Sequence, residues 1–208
     1  MRDFSSGVLI EQVALTVGRL LVGFAAGASL GLFLGLLMGW SPRIQRIFQP
    51  FVSALQPLPK ITLLPLIMVI FGIGETSRYI VVAMGTFFPV LINTITGVHE
   101  IAPLHIEVAQ SYGATRRMLF RRVILPGALP IILSGIVLGM NMALTITLVT
   151  EILNAQKGLG AMIWMAWQTF RTEELYAALI VIGVLGLTIH HTVQMITRWL
   201  MPWQRKTG

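Results

Sequence analysis

The stretch EVAQSYGATRRMLFRRVILPGALP, Glu107 to Pro130, places a glutamate and four arginines between segments that are almost uncharged. The chain of 208 residues is 55% hydrophobic and 11% charged, with a mean hydropathy of +0.81. Soluble domains carry about twice that charged fraction, and a water-soluble core of this composition would leave large apolar patches exposed. The composition therefore predicts a membrane protein that is interrupted by one polar, arginine-rich insertion.

Five segments are long or apolar enough to be candidate membrane spans, because about 20 apolar residues cross roughly 30 Å of hydrocarbon. They are residues 13–38, 61–73, 79–98, 123–150 and 175–196. We expect helices, since an open strand would leave backbone groups unpaired in lipid. The second segment is short and is interrupted by Pro57, Pro59 and Pro65, so we expect a broken helix that lines a cavity.

The basic residues are distributed unequally between the two sides of these spans. Ten lie in alternate connections or near the C-terminus: Arg43, Arg46, Lys60, Arg116, Arg117, Arg121, Arg122, Arg198, Arg205 and Lys206. Five belong to the other side: Arg2, Arg19, Arg78, Lys157 and Arg171. Cytoplasmic connections carry the excess of Lys and Arg. The sequence therefore predicts a multi-pass protein of the inner, cytoplasmic membrane, with its N-terminus outside and its C-terminus in the cytoplasm. Interfacial tryptophans are expected at both ends of the fifth span: Trp164, Trp167, Trp199 and Trp203.

Glycines recur every four residues along the first span, and this spacing allows helix backbones to approach closely. They are Gly23, Gly27, Gly31, Gly35 and Gly39. Each step of four residues advances about 40°, so the row sweeps roughly 160° of the helix surface. One straight partner helix cannot follow such a row. We expect ordinary packing inside a helix bundle, with the first span in its centre, and the alternative is a dedicated dimerisation face.

The polar insertion is predicted to be a helix, a sharp turn and a second helix on the cytoplasmic side. Residues 101–112 can form the first helix, and Gly113 suits a reversal with positive φ. A second, basic helix begins at Thr115 and leads to Leu125-Pro126, where proline is tolerated in the first turn of the next span. Such an element is exposed, rigid and available for docking. The arginines alone could equally satisfy the positive-inside rule and contact anionic lipid.

The spacing of the insertion carries more information than its charge. Glu107-Val108-Ala109 is followed after three residues by Gly113, and after nine more by Val123-Ile124-Leu125-Pro126. This pattern resembles the cytoplasmic EAA loop of ABC importer permeases, where Glu-Ala-Ala, Gly and Ile-x-Leu-Pro have the same spacing. Val108 and Val123 are conservative departures, although Val108 could alter a tight helix contact.

The resemblance extends over nearly the whole chain and is to the nitrate, sulfonate and taurine branch of those permeases. It rests on residues 5–39, LQPLPKITLLPLIMVIFGIGETSRY at 55–79, LPGALPIILSGIVLG at 125–139, and the E-x-x-x-x-x-x-GLG motif that begins at Glu151. Members of the branch usually have a further N-terminal span and periplasmic segment. A five-span core and a start codon placed late are both compatible with the sequence.

This resemblance implies an all-α membrane protein with the type I ABC importer permease fold: about five transmembrane helices plus a cytoplasmic coupling helix. It implies a single permease domain over residues 1–208, with the coupling loop at about 101–122 and an outer loop at about 151–173. The chain would be a transport subunit and not an enzyme. It would form the pathway for a small solute, such as nitrate, a sulfonate or taurine, although related members carry other compounds, including pyrimidine precursors.

The partners implied by the resemblance are cytoplasmic ABC ATPase subunits, an extracytoplasmic substrate-binding protein, a second permease copy in a homodimer, and membrane lipid. ATP and Mg²⁺ would be used by the ATPase, while this chain would bind no cofactor, metal or nucleic acid. The docking contacts carried over are Glu107, Ala109 and Gly113, with Ser111, Tyr112, Ala114 and Thr115 as neighbours.

Polar residues inside spans tend to face cavities or other helices, although Thr can also bond back to its own helix. The candidates for the substrate pathway are Asn93, Asn141 and Thr145, and the last two lie one turn apart on one face. On the outer side we expect a loop and a short amphipathic helix within 152–172. The candidates there for a gate or for contact with the binding protein are Glu151, Lys157, Gly158 and Gly160.

Other functions have little support in the sequence. There is no G-x-x-x-x-G-K-[ST] loop, and FGIGETS at 71–77 lacks the third glycine of a dinucleotide site, so ATP hydrolysis requires a separate chain. His190 and His191 are adjacent and point about 100° apart on a helix, which favours an interfacial position over a metal site. A small channel and an intramembrane enzyme are the rival classes. A channel would conduct without an ATPase, and no convincing nucleophile and base pair is evident.

Overall fold

The computed structural model describes residues 6–154 and 156–201. Within these ranges it contains α-helices and no strand, which confirms the all-α prediction. The helices are α1 Ser6–Trp40, α2 Pro42–Leu55, α3 Leu64–Phe71, α4 Glu75–His99, α5 Pro103–Ser111, α6 Arg116–Leu119, α7 Leu125–Asn154, α8 Leu159–Gln168 and α9 Thr172–Leu200. A 3-10 turn, Lys60–Leu63, precedes α3, and a π-helical segment, Phe120–Ile124, joins α6 to α7. Arg2, Trp203, Arg205 and Lys206 lie outside the described residues.

Four helical segments of the described chain are long and apolar enough to cross a membrane. They are Gly7–Trp40, Glu75–His99, Arg116–Leu153 and Thr172–Leu200, and they correspond to the first, third, fourth and fifth predicted spans.

The second predicted span is a broken helix, as its prolines indicated. Its helical part, α3, has eight residues and is therefore only about 12 Å long. Helix α2 and the segment Lys60–Phe71 bend by 86° relative to each other, and together they could provide a fifth span. Pro57 and Pro59 lie in the break, where residues without a backbone N–H cannot continue a helix.

Helix α1 packs along α4 through its row of glycines. A Cβ atom at Gly23 would lie 2.6 Å from the Val82 side chain, and one at Gly39 would lie 2.8 Å from that of Val98. The intervening glycines are equally close to α4. The facing residues of α4 also recur every four positions: Val82, Thr86, Val90, Thr94 and Val98. The two helices therefore run parallel and keep one register over all five glycines.

We expected that one straight partner helix could not follow the glycine row, and this expectation did not allow for a partner that winds around α1. A spacing of four residues exceeds the helical repeat of 3.6, so the row winds around α1 in a right-handed sense. The facing row on α4 has the same spacing, so each row can follow the other when the two helices wind together. The glycines thus serve packing inside the bundle, as expected, and not a dimerisation face.

The central helix of the bundle is α4, and the expectation that the first span would be central is wrong. On the side away from α1, helix α4 packs against α7, where a Cβ at Gly135 would lie 2.5 Å from Asn93 and one at Gly139 would lie 3.0 Å from Val90. Leu30 and Phe33 of α1 are instead 60% and 65% exposed. Helix α1 therefore has one exposed side, while α4 is covered by helices on both sides.

At the end of the bundle near α8, charged side chains from three helices form a buried network. The Arg19 guanidinium of α1 donates to Glu75 of α4 at 2.6 and 2.7 Å and to Glu151 of α7 at 2.8 Å. Arg78 donates to Glu75 at 2.6 Å. Arg19, Arg78 and Glu151 are 4%, 3% and 0% exposed. The Glu75 side chain is 45% exposed, so the network is buried at Arg19, Arg78 and Glu151 and open at Glu75. Two arginines and two glutamates balance in charge, and buried charges require such pairing.

The same network closes the loop before α8 over the bundle. Glu151 accepts hydrogen bonds from the Thr16 hydroxyl at 2.9 Å and the Gly160 N–H at 3.0 Å. Arg19 also donates to the Lys157 carbonyl at 2.7 Å. Gly158 has φ of +114°, a backbone conformation that favours glycine, and a Cβ there would collide with the Glu151 carboxylate. Helices α1, α4, α7 and α8 are thus joined at one point.

The glycine row can be tested with the substitution Gly31→Ala. The added Cβ would lie 2.7 Å from the Phe87 carbonyl oxygen and 3.2 Å from the Leu91 nitrogen. These are backbone atoms, so the helices must separate, and we expect the free energy of unfolding to fall by about 1–3 kcal/mol. Gly18→Ala is the matched control, because nothing lies within 4 Å of that position. Thermal unfolding in one detergent measures both, and equal midpoints would contradict the packing described.

The buried network predicts that Glu151→Gln is strongly destabilising. The change leaves two buried arginines with one carboxylate, and the Nε of Arg78 already has no hydrogen-bond partner within the described chain. Breaking a buried ion pair costs about 3–5 kcal/mol. The control is Glu11→Gln, since Glu11 pairs with Lys157 where the two side chains are 55% and 61% exposed, and an exposed pair contributes about 0–1 kcal/mol. Denaturant unfolding compares them, and similar losses would refute a structural role for the network.

Candidate functional site

Helices α5 and α6 form a helix, a reversal and a second helix at the opposite end of the bundle from α8. Gly113 has φ of +77°. The N–H of Ala114 donates to the Ala109 carbonyl at 3.0 Å and that of Gly113 to the Gln110 carbonyl at 2.8 Å, a pair of bonds typical of a helix that ends at a left-handed glycine. Thr115 caps α6 by accepting from the Met118 N–H at 3.4 Å. The predicted helix, turn and helix are confirmed.

The inner face of this element is fixed to the bundle by an apolar cluster. Ile106 and Ala109 of α5 pack against the buried Leu119 and Ile124. The cluster continues to Val98 of α4 and to Ala128 and Ile132 of α7. Trp40, at the end of α1, contacts the Phe120 ring edge to face, with ring centroids 5.5 Å apart. A force on α5 is therefore passed directly to the ends of α1, α4 and α7.

An exposed apolar stripe runs along α5 to the residue that caps it, and the first two residues of the stripe line an open groove beside the start of α7. Leu104, Val108 and Tyr112 are spaced by four residues, which places them on one side of a helix, and they are 65%, 46% and 89% exposed. Sequence analysis identified Tyr112 but not Leu104, and it treated Val108 only as a departure from the motif. Their spacing was the available signal. Such a stripe on a membrane protein's polar insertion can bind a hydrophobic groove on another protein.

The remaining predicted docking residues surround this stripe. Glu107 and Ser111 are exposed, and the Ser111 hydroxyl donates to the Glu107 carbonyl at 3.0 Å within α5. Ala109 and Ala114 are half-buried, while Gly113 and Thr115 are exposed. The four arginines of the following segment are also exposed: Arg116, Arg117, Arg121 and Arg122. The element therefore combines an apolar stripe with a basic surround, which suits a partner surface that has an acidic rim.

A cavity of about 450 Å³ lies near the middle of the bundle, where the break between α2 and α3 faces α4 and α7. Asn93 and Thr145, both predicted pathway residues, line it. Asn141 is exposed but is not among the lining residues, and its carbonyl accepts from the Thr145 hydroxyl at 3.0 Å. Asn93 and Thr145 therefore line the cavity from two different helices, whereas Asn141 does not line it.

Lys60 also lines this cavity, which corrects its assignment to the cytoplasmic side. Its ammonium lies 4.3 Å from the centroid of the Phe88 ring. Phe88 is near the middle of α4, roughly 20 Å along the helix from Glu75 and roughly 17 Å from His99 at 1.5 Å per residue. The reason for the error is the bend: the count of basic residues assumed a connection outside the membrane, whereas α2 folds back and carries residue 60 to mid-height.

The predicted gate residues lie in or beside the buried network at the α8 end. Glu151, Gly158 and Gly160 are buried, so the Glu151 carboxylate joins helices and does not reach the surface. Lys157 is exposed and pairs with Glu11 at 3.1 Å. The expected short outer helix is α8, Leu159–Gln168, and the aromatic Phe170 that follows it is 89% exposed.

Comparison with known proteins identifies relatives over almost the full chain. Residues 27–206 match the family described as binding-protein-dependent transport system inner membrane component. The taurine transport system permease protein TauC of Escherichia coli strain K12 is 32% identical over 97% of this chain and 74% of TauC. The putative aliphatic sulfonates transport permease protein SsuC of Bacillus subtilis is 34% identical over 96% of this chain and 72% of SsuC. The formylaminopyrimidine transport permease protein ThiX of Halalkalibacterium halodurans is 30% identical over 98% and 82%.

Solved structures with the same fold belong to ABC transporters. The inward-facing MetNI methionine ABC transporter superposes with a TM-score of 0.79 at 21% identity, over 91% of this chain and 94% of that chain. An amino acid ABC transporter with histidines gives a TM-score of 0.77 at 22% identity, over 93% and 94%. These likenesses confirm the predicted permease fold. The chain belongs to the binding-protein-dependent transport system inner membrane component family and is a multi-pass permease subunit of an ABC importer, not an enzyme.

Proposed function

We propose that the α5–α6 element is the coupling element through which a cytoplasmic ATPase drives this permease. The observation that carries the proposal is the exposed stripe of Leu104, Val108 and Tyr112 next to the Gly113 reversal. Importers of this family work with an ATPase and a substrate-binding protein. The docking surface consists of Glu107, Ala109, Ser111, Tyr112, Gly113, Ala114 and Thr115, together with Leu104 and Val108.

Helix α5 could couple the ATPase to the bundle because some of its residues pack against the bundle while others are exposed. Ile106 and Ala109 are part of the apolar cluster with Leu119 and Ile124, so a displacement of α5 would be passed to the ends of α4 and α7. The exposed stripe is available to the ATPase, and the basic surround would pair with acidic groups at its groove. ATP and Mg²⁺ are bound by the ATPase, and this chain holds neither.

The α5 end of the bundle is the cytoplasmic side in this proposal, which places the N-terminus outside and the C-terminus inside. The basic residues support this orientation. The exposed cluster Arg116, Arg117, Arg121 and Arg122 lies at that end, and cytoplasmic segments are enriched in basic residues. Helix α7, with the turns that precede it, then carries the chain outward to Glu151 and α8. The α8 end would receive the substrate-binding protein, with the buried network as part of the outer gate.

Two copies of the chain would form one pathway between them, as a single permease domain each, with lipid around the rest. Helix α9 supports this arrangement because, among its described residues, only Ala178 is fully buried. Ile180, Leu187 and Met195 are 67%, 62% and 67% exposed. So much apolar surface on one helix must face lipid or a second copy.

The substrate that we propose is a small organic anion of the sulfonate class. TauC and SsuC are named for taurine and aliphatic sulfonates, and both align with almost the whole chain. ThiX is named for a formylaminopyrimidine at similar identity, so the relatives alone do not select one substrate. The lysine in the cavity favours an anion.

The coupling proposal is tested by Gly113→Val with Gly113→Asn as its control. Nothing lies within 4 Å of a Cβ at this position, and φ is +77°, so the effect is conformational. Valine at positive φ is strained by about 1–3 kcal/mol, whereas asparagine tolerates that region. We expect Gly113→Val to insert into the membrane but to lose most ATPase co-purification and ATP-driven uptake of a labelled sulfonate, and Gly113→Asn to retain both.

Three outcomes separate the alternatives. Unimpaired co-purification and uptake in Gly113→Val would refute the docking role. Loss in both variants with normal membrane insertion would mean that close approach to the ATPase requires glycine itself, which still supports docking. Conduction of ions by the purified permease without any ATPase would favour a channel over an importer.

A further inference from the structure

We propose that Lys60, together with Asn93 and Thr145, forms an anion subsite in the cavity at mid-height, which holds the sulfonate group of an alkanesulfonate during passage. The inference rests on the proposed import of a small organic anion and assigns the residue that selects it. No carboxylate of the described chain forms an ion pair with Lys60.

Lys60 lies where a charged side chain is unfavourable. Ionisable residues at membrane depth are costly and often mark substrate pathways. The Lys60 ammonium has three partners there: the carbonyls of Leu55, at 3.1 Å, and Gln56, and the face of the Phe88 ring. The two carbonyls belong to the C-terminal end of α2, where the helix dipole favours a cation. This environment holds a cation without neutralising it.

The Lys60 ammonium retains one N–H donor that could bind a ligand. An ammonium has three N–H donors, and two are directed at the carbonyls of Leu55 and Gln56. The third is available to a ligand in the cavity, which Lys60 lines.

Asn93 and Thr145 line the same cavity from α4 and α7. One N–H of the Asn93 amide donates to the Pro89 carbonyl at 2.8 Å, and the other remains for a ligand. The single O–H of Thr145 donates to the Asn141 carbonyl at 3.0 Å, so it must rotate away from that bond to reach a ligand. Two sulfonate oxygens can therefore accept from the ammonium and the Asn93 amide, and the third can accept from Thr145 when its hydroxyl turns towards the cavity.

The rest of the cavity has a lining that suits an alkyl chain. Its other walls are largely apolar and include Phe88, Leu138, Met142 and Ile146. Among the described lining residues, Lys60 is the only charged one and none is a carboxylate. The ammonium of a zwitterion such as taurine would therefore lack a partner, so the subsite favours alkanesulfonates over taurine.

The competing explanation is that Lys60 only caps α2 at its bend. A cap would need the donors of residue 60 but not its charge, and it would not respond to an anion. The chain contains no cysteine, so a single introduced thiol can report on the cavity. Met142→Cys is the reporter, because it leaves Lys60, Asn93 and Thr145 in place, and Leu138→Cys, on the same wall, replaces it if the first variant is poorly inserted.

The experiment measures the rate at which the reporter thiol reacts with neutral methyl methanethiosulfonate in the permease assembled with its ATPase. Ethanesulfonate is titrated as the protecting ligand, and ethyl methyl sulfone, an uncharged analogue of similar size, is the control. Each reporter is studied with Lys60, with Lys60→Arg and with Lys60→Gln, which keeps hydrogen-bond donors but removes the charge. Rates are compared with and without ligand in the same background.

We expect ethanesulfonate, but not the sulfone, to slow the reaction when Lys60 or Lys60→Arg is present. A charge-assisted hydrogen bond contributes about 1.5–3 kcal/mol, so Lys60→Gln should raise the protecting concentration about tenfold or more. Taurine should protect less well than ethanesulfonate. Equal protection in the Lys60 and Lys60→Gln backgrounds, or equal protection by the sulfone, would overturn the subsite, and equal protection by taurine would overturn the preference for an unpaired anion.

The importer function is judged separately, by ATP-driven uptake in the complete assembly with the binding protein. Normal uptake with no charge-dependent protection would leave the importer standing and remove the subsite. Charge-dependent protection without ATP-driven uptake of any sulfonate would keep the subsite and remove the proposed transport role.

Discussion

The contact between the glycines of α1 and the β-branched residues of α4 is the interaction on which the rest of the structure depends. It holds two long helices in one register from Gly23 against Val82 to Gly39 against Val98. In lipid no hydrophobic force draws helices together, so close packing of small residues must supply the attraction. Because α4 also packs on α7, this register fixes where both ends of the central helix lie.

The two ends of α4 and α7 are held by different kinds of interaction. At the α8 end, the buried Arg19 makes hydrogen bonds of defined geometry with the buried Glu151 and with Glu75, whose side chain is 45% exposed. A buried polar network that loses a partner is costly. At the α5 end, Leu119, Ile124 and Val98 make apolar contacts, which are non-directional and tolerate small shifts. Directional hydrogen bonds therefore hold the helices at the α8 end, while apolar contacts that allow small shifts hold them at the end that carries the docking helix.

The parts of the molecule that could be predicted from sequence are those determined locally. Hydropathy located four spans, and Gly113 and Thr115 specified a turn and a cap through their own backbone and side-chain chemistry. The parts that could not be predicted depend on contacts far apart in sequence. Arg19 and Glu151 are 132 positions apart, and no local pattern indicates their pairing. The glycine row was visible, but its winding became clear only with the matching row on α4.

Lys60 shows how one local feature can change the meaning of a charge. In a straight connection it would be one more cytoplasmic cation, and the proline-rich break was correctly expected to line a cavity. Because α2 bends by 86° relative to the following segment, the same residue lies over Phe88. Both the break and the charge would be unfavourable in lipid. Both features occur at one cavity, and this is explained if the C-terminal carbonyls of α2 hold the Lys60 ammonium in the path of an anion.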